Sequence, residues 1–264
     1  IFGSLTAQAA RRVVEHVLQS VDDSEAPGLD CATGPGYVIE EALRRGMRAE
    51  ALTAVDFSAA MLQQAQRRFA SDGVTWLEAD IQEPLPSPAN ASKGRFAWCA
   101  CNFGVLHLAR PEAFFAVAQQ ALRPGGLLLF TVWADLAQSP AFQIPLRAIE
   151  EHGSSDVGLP PGPPFFKFSD PAVASEALAA AGFERINTEL IHMEWPLNKP
   201  EDLWEVFCEG TARTGGMLAR QEPGAKARIE AAMHDAVVSA QTPGQSVPPY
   251  LLNQPCLLVT AKVP

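Results

Sequence analysis

Two features of the chain could do chemistry together. The first is the run Leu29-Asp30-Cys31-Ala32-Thr33-Gly34-Pro35-Gly36. Its small residues let the backbone approach a ligand, and a helix starting there would offer free N–H groups. Taken alone, an ordinary strand-to-helix turn looks much the same. The second feature is Asp56, which ends the next apolar segment about 20 residues later. A carboxylate at that place can accept both hydroxyls of a ribose. The pair points to a nucleoside-containing ligand. A nicotinamide dinucleotide in an oxidoreductase is one candidate. Two details argue against it. The turn lacks G-x-G-x-x-G spacing because position 39 is Ile, and Asp56 is followed by Phe57-Ser58 and Met61-Leu62.

These residues must be held by strands and helices in alternation. Thr6 to Val21 reads as an amphipathic helix with Ala10, Val13, Val14, Val17 and Leu18 on one face. Strands are expected at 27–31, 51–55, 74–78, 95–101 and 127–133, with helices at 38–45, from Ser58 to about 69, and from Pro111 to near 122. A Pro- and Ser-rich loop spans 84–92, and Arg123-Pro124-Gly125-Gly126 reads as a tight turn. Apolar strands spaced by helices predict a parallel sheet with right-handed crossovers. Beyond residue 135 the pattern loosens. Helices are expected at 140–152, 171–181, 201–213 and 223–240, a Pro-rich loop at 153–168, and strands at 183–195 and 257–263.

Composition limits the function classes. The chain has 264 residues, 47% of them apolar and 19% charged, enough for a sizeable core. Its formal net charge is -10, and its close basic pairs (Arg11-Arg12, Arg44-Arg45, Arg67-Arg68) suit polar helix faces. A nucleic-acid substrate is therefore disfavoured. Five cysteines, Cys31, Cys99, Cys101, Cys208 and Cys256, fit neither a disulfide framework nor a zinc site, so a reducing, cytoplasmic setting is expected. No apolar run is long enough to span a membrane. Ile1 to Leu5 read as neither a signal peptide nor a natural start, so an earlier segment is expected.

Candidates for a general base are few. His107 follows the fourth strand, at the carboxyl edge where such sheets bind ligands. It reads either as a base or as a packed structural residue. His192 and Glu194 would share a face of one strand, while His152 and His16 suit helix surfaces. No cluster has metal-ligand spacing, so no metal is expected. The aromatics Phe165, Phe166, Phe168, Trp195, Trp204 and Phe207 read as packing or as walls of an apolar substrate pocket.

Taken in order, these segments resemble the motifs of class I S-adenosylmethionine-dependent methyltransferases. Residues 29–36 resemble motif I, 55–62 the ribose-binding strand end, and 78–81 the adenine-facing segment. Asn102-Phe103-Gly104-Val105-Leu106-His107-Leu108 resembles the stretch after strand four, and 122–126 the turn before strand five. The likeness covers about residues 5–135 and is nearest to the small-molecule branch typified by ubiquinone and menaquinone methyltransferases. Ala32 stands where that family more often has glycine, and Ala97 where it often has an acidic residue.

The resemblance implies S-adenosylmethionine as cofactor. Asp30, Ala32, Thr33, Gly34 and Gly36 would line its methionine and ribose portions. Asp56 would hold the ribose hydroxyls, and Phe57 and Met61 would pack on the adenine. Asp80 and Ile81 would meet the adenine amino group, and Asn102 and Phe103 would floor the site near the sulfonium. The expected fold is a doubly wound, mostly parallel seven-stranded sheet of Rossmann-like type with a helical cap. Its divisions would be a cofactor-binding core at 1–134, a cap helix, Pro-rich loop and return to the sheet at 135–194, a helical cap insertion at 195–250, and a last sheet strand at 251–264. Phe165, Trp195 and Trp204 are the expected acceptor walls. The implied reaction is methyl transfer to O, N or C of a small, partly apolar molecule. The alternatives are the dinucleotide oxidoreductase and a methyltransferase-like protein that binds the cofactor without transferring methyl.

Overall fold

Seven strands of the chain join into one sheet in the order β3-β2-β1-β4-β5-β9-β6. They are β1 (Gly28–Cys31), β2 (Leu52–Asp56), β3 (Thr75–Glu78), β4 (Phe96–Asn102), β5 (Leu122–Trp133), β6 (Glu184–Ile191) and β9 (Cys256–Lys262). The computed structural model describes residues 2–21, 23, 25–68, 73–87, 89, 94–160, 162, 164–241 and 248–264. Phe69, residues 88 and 90–92 of the Pro- and Ser-rich loop, and Pro161 and Pro163 therefore lie outside the described residues.

β1 pairs in parallel with both β2 and β4, so the strand order reverses beside it. At such a switch point the connecting helices leave on opposite faces and open a crevice at the carboxyl ends of the strands. β9 alone runs antiparallel, between β5 and β6. All residues of β1 and β2 are buried, which explains why these strands read as continuous apolar runs rather than alternating ones. Helix α1 (Gly3–Ser20) contributes Ala10, Val13, Val14 and Val17 to a core shared with Val38, Ile39 and Ala42 of α2 (Tyr37–Arg44). Each buried valine of this kind contributes roughly 1.5–3 kcal/mol. Helices α3 (Ala59–Arg68), α4 (Pro111–Ala121) and α6 (Pro171–Ala180) complete the set around the sheet.

The chain divides into two units. The sheet and these helices belong to Thr6–Trp133, Pro163–Ile191 and Cys256–Pro264. The second unit, Ile1–Leu5, Ala134–Gly162 and His192–Pro255, holds α5 (Pro140–His152), α7 (Asp202–Gly210), α8 (Ala212–Ala219), α9 (Pro223–Ser239) and a two-stranded ribbon of β7 (Glu194–Leu197) and β8 (Tyr250–Asn253). Its core includes Phe2, Trp195 and Phe207, with ring centroids 5.0–6.5 Å apart.

Four elements differ from the sequence expectation. The single strand at 183–195 is two strands in different sheets, because β6 pairs with β9 whereas β7 pairs with β8. His192 and Glu194 therefore do not share a strand face. The helix at 201–213 breaks at Thr211, whose extended backbone and side-chain acceptor for the Gly215 N–H start α8 afresh. The turn at 123–126 is the bulged beginning of β5, held by Leu122 opposite Phe96 and by the Gly125 N–H donating to the Val263 carbonyl. β8 was not anticipated, since four residues give too short a pattern to read.

Candidate functional site

The turn after β1 is built from left-handed backbone. Ala32, Gly34 and Gly36 have φ of 53°, 52° and 84°. Gly36 adopts this conformation at no steric cost, whereas Ala32 does so with a Cβ. The Thr33 hydroxyl donates to Asp30 Oδ2 at 2.6 Å, and its N–H donates to the Val55 carbonyl, which ties the turn to β2. Asp30 is buried, and its Oδ1 has no protein partner. Burial pushes its pKa up to about 7; the Thr33 hydrogen bond opposes this and the charge of Asp56 adds to it.

Asp56 ends β2 and faces the same turn. Its Oδ2 accepts from the Gly34 N–H at 2.8 Å and its Oδ1 from the Ser58 N–H at 2.9 Å. A carboxylate has about four acceptor positions, so room is left for two further donors. Immediately after it, Phe57 is 77% and Met61 41% exposed. Large apolar side chains this open are few among the described residues, and these two follow Asp56 closely in the chain. They suit an aromatic ring that would cover them. Ser58 caps α3 through the Met61 N–H. Asp80 is exposed and accepts from Gln82 N and Nε2, while Ile81 beside it is buried.

The segment after β4 is fixed from three directions. The Asn102 amide donates to the Thr6 carbonyl of α1 at 3.0 Å, and its oxygen accepts from the Thr131 hydroxyl at 2.7 Å. The Phe103 N–H reaches the same hydroxyl at 3.0 Å. Phe103 has a left-handed φ of 58°, and its ring packs on Trp133 at 4.1 Å. A Cβ on Gly104 would sit 2.6 Å from Ala32 Cβ, so this loop presses directly on the first turn. Thr131 was not singled out in the sequence, and Gly104 was read only as part of the stretch after strand four. Thr131 had a readable signal: a hydroxyl inside the apolar run Leu127 to Val132 needs a partner.

His107 ends a single 3-10 turn, Val105–His107, and its ring meets Phe165 edge-on at 5.7 Å. His107 is exposed, yet desolvation by the surrounding protein lowers its pKa below the usual 6.5. That shift favours the neutral imidazole, which is able to accept a proton. In the second unit, Trp195 is 2% exposed and packed on Phe2 and Phe207, whereas Trp204 is half-buried with Lys226 over its ring at 5.8 Å. No group of three His, Cys, Asp or Glu side chains suited to a metal occurs among the described residues.

The sequence profile of the methyltransferase domain matches residues 29–126, the span that contains these two turns, Asp56 and the segment after β4. Residues 29–126 are thus similar to a methyltransferase domain. A curated relative, the ubiquinone/menaquinone biosynthesis C-methyltransferase of Desulfotalea psychrophila, is 34% identical over 121 residues. That match spans 45% of this chain and 45% of the relative, so it covers about half the length of each. Among solved structures, BH2331 of Bacillus halodurans C-125 superposes with a TM-score of 0.58 at 17% identity, covering 95% of this chain and 98% of that one. The [4+2]-cyclase SpnF superposes with a TM-score of 0.50 at 20% identity, covering 97% and 83%. These likenesses show the seven-stranded, mostly parallel Rossmann-like fold.

Proposed function

We propose that the protein transfers a methyl group from S-adenosylmethionine to O, N or C of a small, partly apolar molecule. The observation that carries this reading is Asp56 facing the left-handed turn with Phe57 and Met61 exposed beside it. The residues present suit the cofactor. Asp56 retains acceptor capacity for ribose hydroxyls, Phe57 and Met61 offer a platform for adenine, and Asp80 offers an acceptor near Ile81. Gly34 and Gly36 let the backbone come close. Asp30 and Asn102-Phe103 lie at the ends of β1 and β4, which flank the switch point.

The bound cofactor supplies an activated methyl on a sulfonium, and the protein's part is alignment and exclusion of water. Asn102, clamped by Thr6 and Thr131, holds the strand-four edge in place. His107, its neutral form favoured, accepts a proton when the acceptor arrives protonated. Phe165 edges that imidazole and provides an apolar contact. Trp204 offers a further surface in the second unit, and Trp195 stiffens that unit from within. The acceptor is a small molecule rather than a nucleic acid, consistent with the net charge of -10. No helix among the described residues is long and apolar enough to cross a membrane. None of the five cysteines is in a disulfide, which suits the cytoplasm.

Calorimetry with S-adenosylhomocysteine tests the cofactor. Binding in the micromolar range or tighter, about 8 kcal/mol or more, is expected. Heat with NAD and none with S-adenosylhomocysteine would overturn the reading in favour of an oxidoreductase. Transfer of labelled methyl to a panel of hydroxylated and amino-bearing aromatics separates turnover from binding alone.

A further inference from the structure

Gln82 lies two residues beyond Asp80, and both ends of its side-chain amide are engaged. Its Nε2 donates to Asp80 Oδ1 at 3.1 Å and to Oδ2 at 3.3 Å, and its backbone N–H donates to Oδ1 at 2.9 Å. Its Oε1 accepts from the Arg110 N–H at 2.7 Å. Arg110 occupies the N-cap of α4, and its guanidinium donates to Glu83 at 2.7 Å. All these residues belong to the sheet-bearing unit.

The contacts fix which way the amide faces. The Arg110 N–H can meet only an acceptor, so Oε1 turns to the start of α4 and the donor end turns to the carboxylate. An exposed aspartate left to itself samples several rotamers, and Asp80 is exposed. Gln82 holds it, but unevenly. Each carboxylate oxygen has two acceptor positions. Both on Oδ1 are taken by Gln82, whereas Oδ2 meets one longer contact and keeps a position open. The backbone beneath is held as well. The Ala79 N–H donates to the Asp56 carbonyl at 3.0 Å, and the Glu83 N–H to that of Asp80 at 3.1 Å. The open Oδ2 thus belongs to a loop tied directly to the strand end that carries Asp56.

We infer that Gln82 is a positioning residue that sets the selectivity of the cofactor site for a base bearing an exocyclic amino group. A 6-aminopurine offers a donor to Oδ2, whereas a purine without the amino group offers only a C–H there. Gln82 acts through Asp80 rather than on the base, and the start of α4 holds Gln82 in turn. The inference rests on the methyl-transfer reading above, in which Asp80 is the acceptor for adenine.

The test uses the full chain and two probes, S-adenosylhomocysteine and its analogue with hydrogen in place of the 6-amino group. Calorimetry on wild type should favour the amino-bearing probe by about tenfold, the weight of one hydrogen bond to a charged acceptor. Gln82→Met keeps the length of the side chain and removes both polar ends. It should cut the preference to about twofold or less, chiefly by weakening the amino-bearing probe. Gln82→Glu, which keeps an oxygen for the Arg110 N–H and loses the donor, should do the same. Asp80→Ala should abolish the preference in either background, so the substitutions at 80 and 82 are not additive. If Gln82→Met weakens both probes by the same factor, its role is merely structural and the inference is overturned. An unchanged preference in Gln82→Met, or equal binding of the two probes by wild type, overturns it too. Failure of the methyl-transfer reading shows separately, as binding of neither probe by wild type.

Discussion

At the scale of single residues, Asp56 does two jobs, and both are testable. It anchors the turn through the Gly34 and Ser58 N–H groups and is proposed to hold the ribose. Hydrogen bonds to a charged group contribute about 1.5–3 kcal/mol each, so Asp56→Ala should weaken S-adenosylhomocysteine binding at least tenfold by calorimetry. Unchanged affinity would place the ribose elsewhere. Asp30 makes a pH-dependent prediction. Its folded pKa of about 7 lies above the ordinary aspartate value of 3.8. The unfolded chain ionises first, so stability falls as pH rises between those values and levels off above the folded pKa. Each pKa unit of the shift corresponds to about 1.4 kcal/mol. Asp30→Asn removes this penalty, and its melting-temperature gain over wild type should be larger at pH 8 than at pH 5. The same gain at both would show that Asp30 does not titrate between them. For His107, the lowered pKa favours the neutral base. His107→Ala should lower kcat by about 10²–10⁴ if proton removal is part of the reaction. Near-normal kcat would mean that alignment alone suffices.

At the scale of elements, the two loops that frame the site are locked against each other. A Cβ at Gly104 would lie 2.5 Å from Cys101 Sγ and 2.6 Å from Ala32 Cβ. Gly104→Ala must push the β1 turn and the β4 edge apart, and overpacking of this kind costs about 1–3 kcal/mol. Ala32→Gly clears one of the two collisions and also relieves a left-handed alanine. The double variant should therefore recover part of the stability and cofactor affinity that Gly104→Ala loses. Strict additivity in a double-mutant cycle would show that the loops are not coupled. The glycine at 104 leaves the room that the Ala32 Cβ occupies.

At the scale of the whole molecule, the ligand should act on stability. At a free concentration of 100 times its Kd, a ligand that binds only the folded state adds about 2.7 kcal/mol. For a domain of this size that corresponds to a rise of about 5–10 °C in melting temperature. NAD at the same concentration should give no shift. Because the contacts proposed for the cofactor come from the sheet-bearing unit, a melt in two steps should show the rise in that unit's step.

The sequence by itself determined the parts of this protein that depend on neighbours along the chain. The strand–helix alternation, the glycine turn, and Asp56 at a strand end followed by Phe57 and Met61 are local in origin. Apolar runs and helix periodicity report burial on one face, and caps and turns need only a few adjacent residues. Tertiary structure decided what depends on distant partners. Whether 183–195 was one strand or two turned on which strands it would meet, β9 and β8, both some 60 residues away. The turn at 123–126 became strand because Phe96 and Val263 supplied the hydrogen bonds. The clamp of Asn102 by Thr6 and Thr131, the pressure of Gly104 on Ala32, and the burial of Trp195 follow the same rule. Burial and hydrogen-bond satisfaction are properties of three-dimensional neighbourhoods, and residues far apart in the chain leave no periodic trace of meeting.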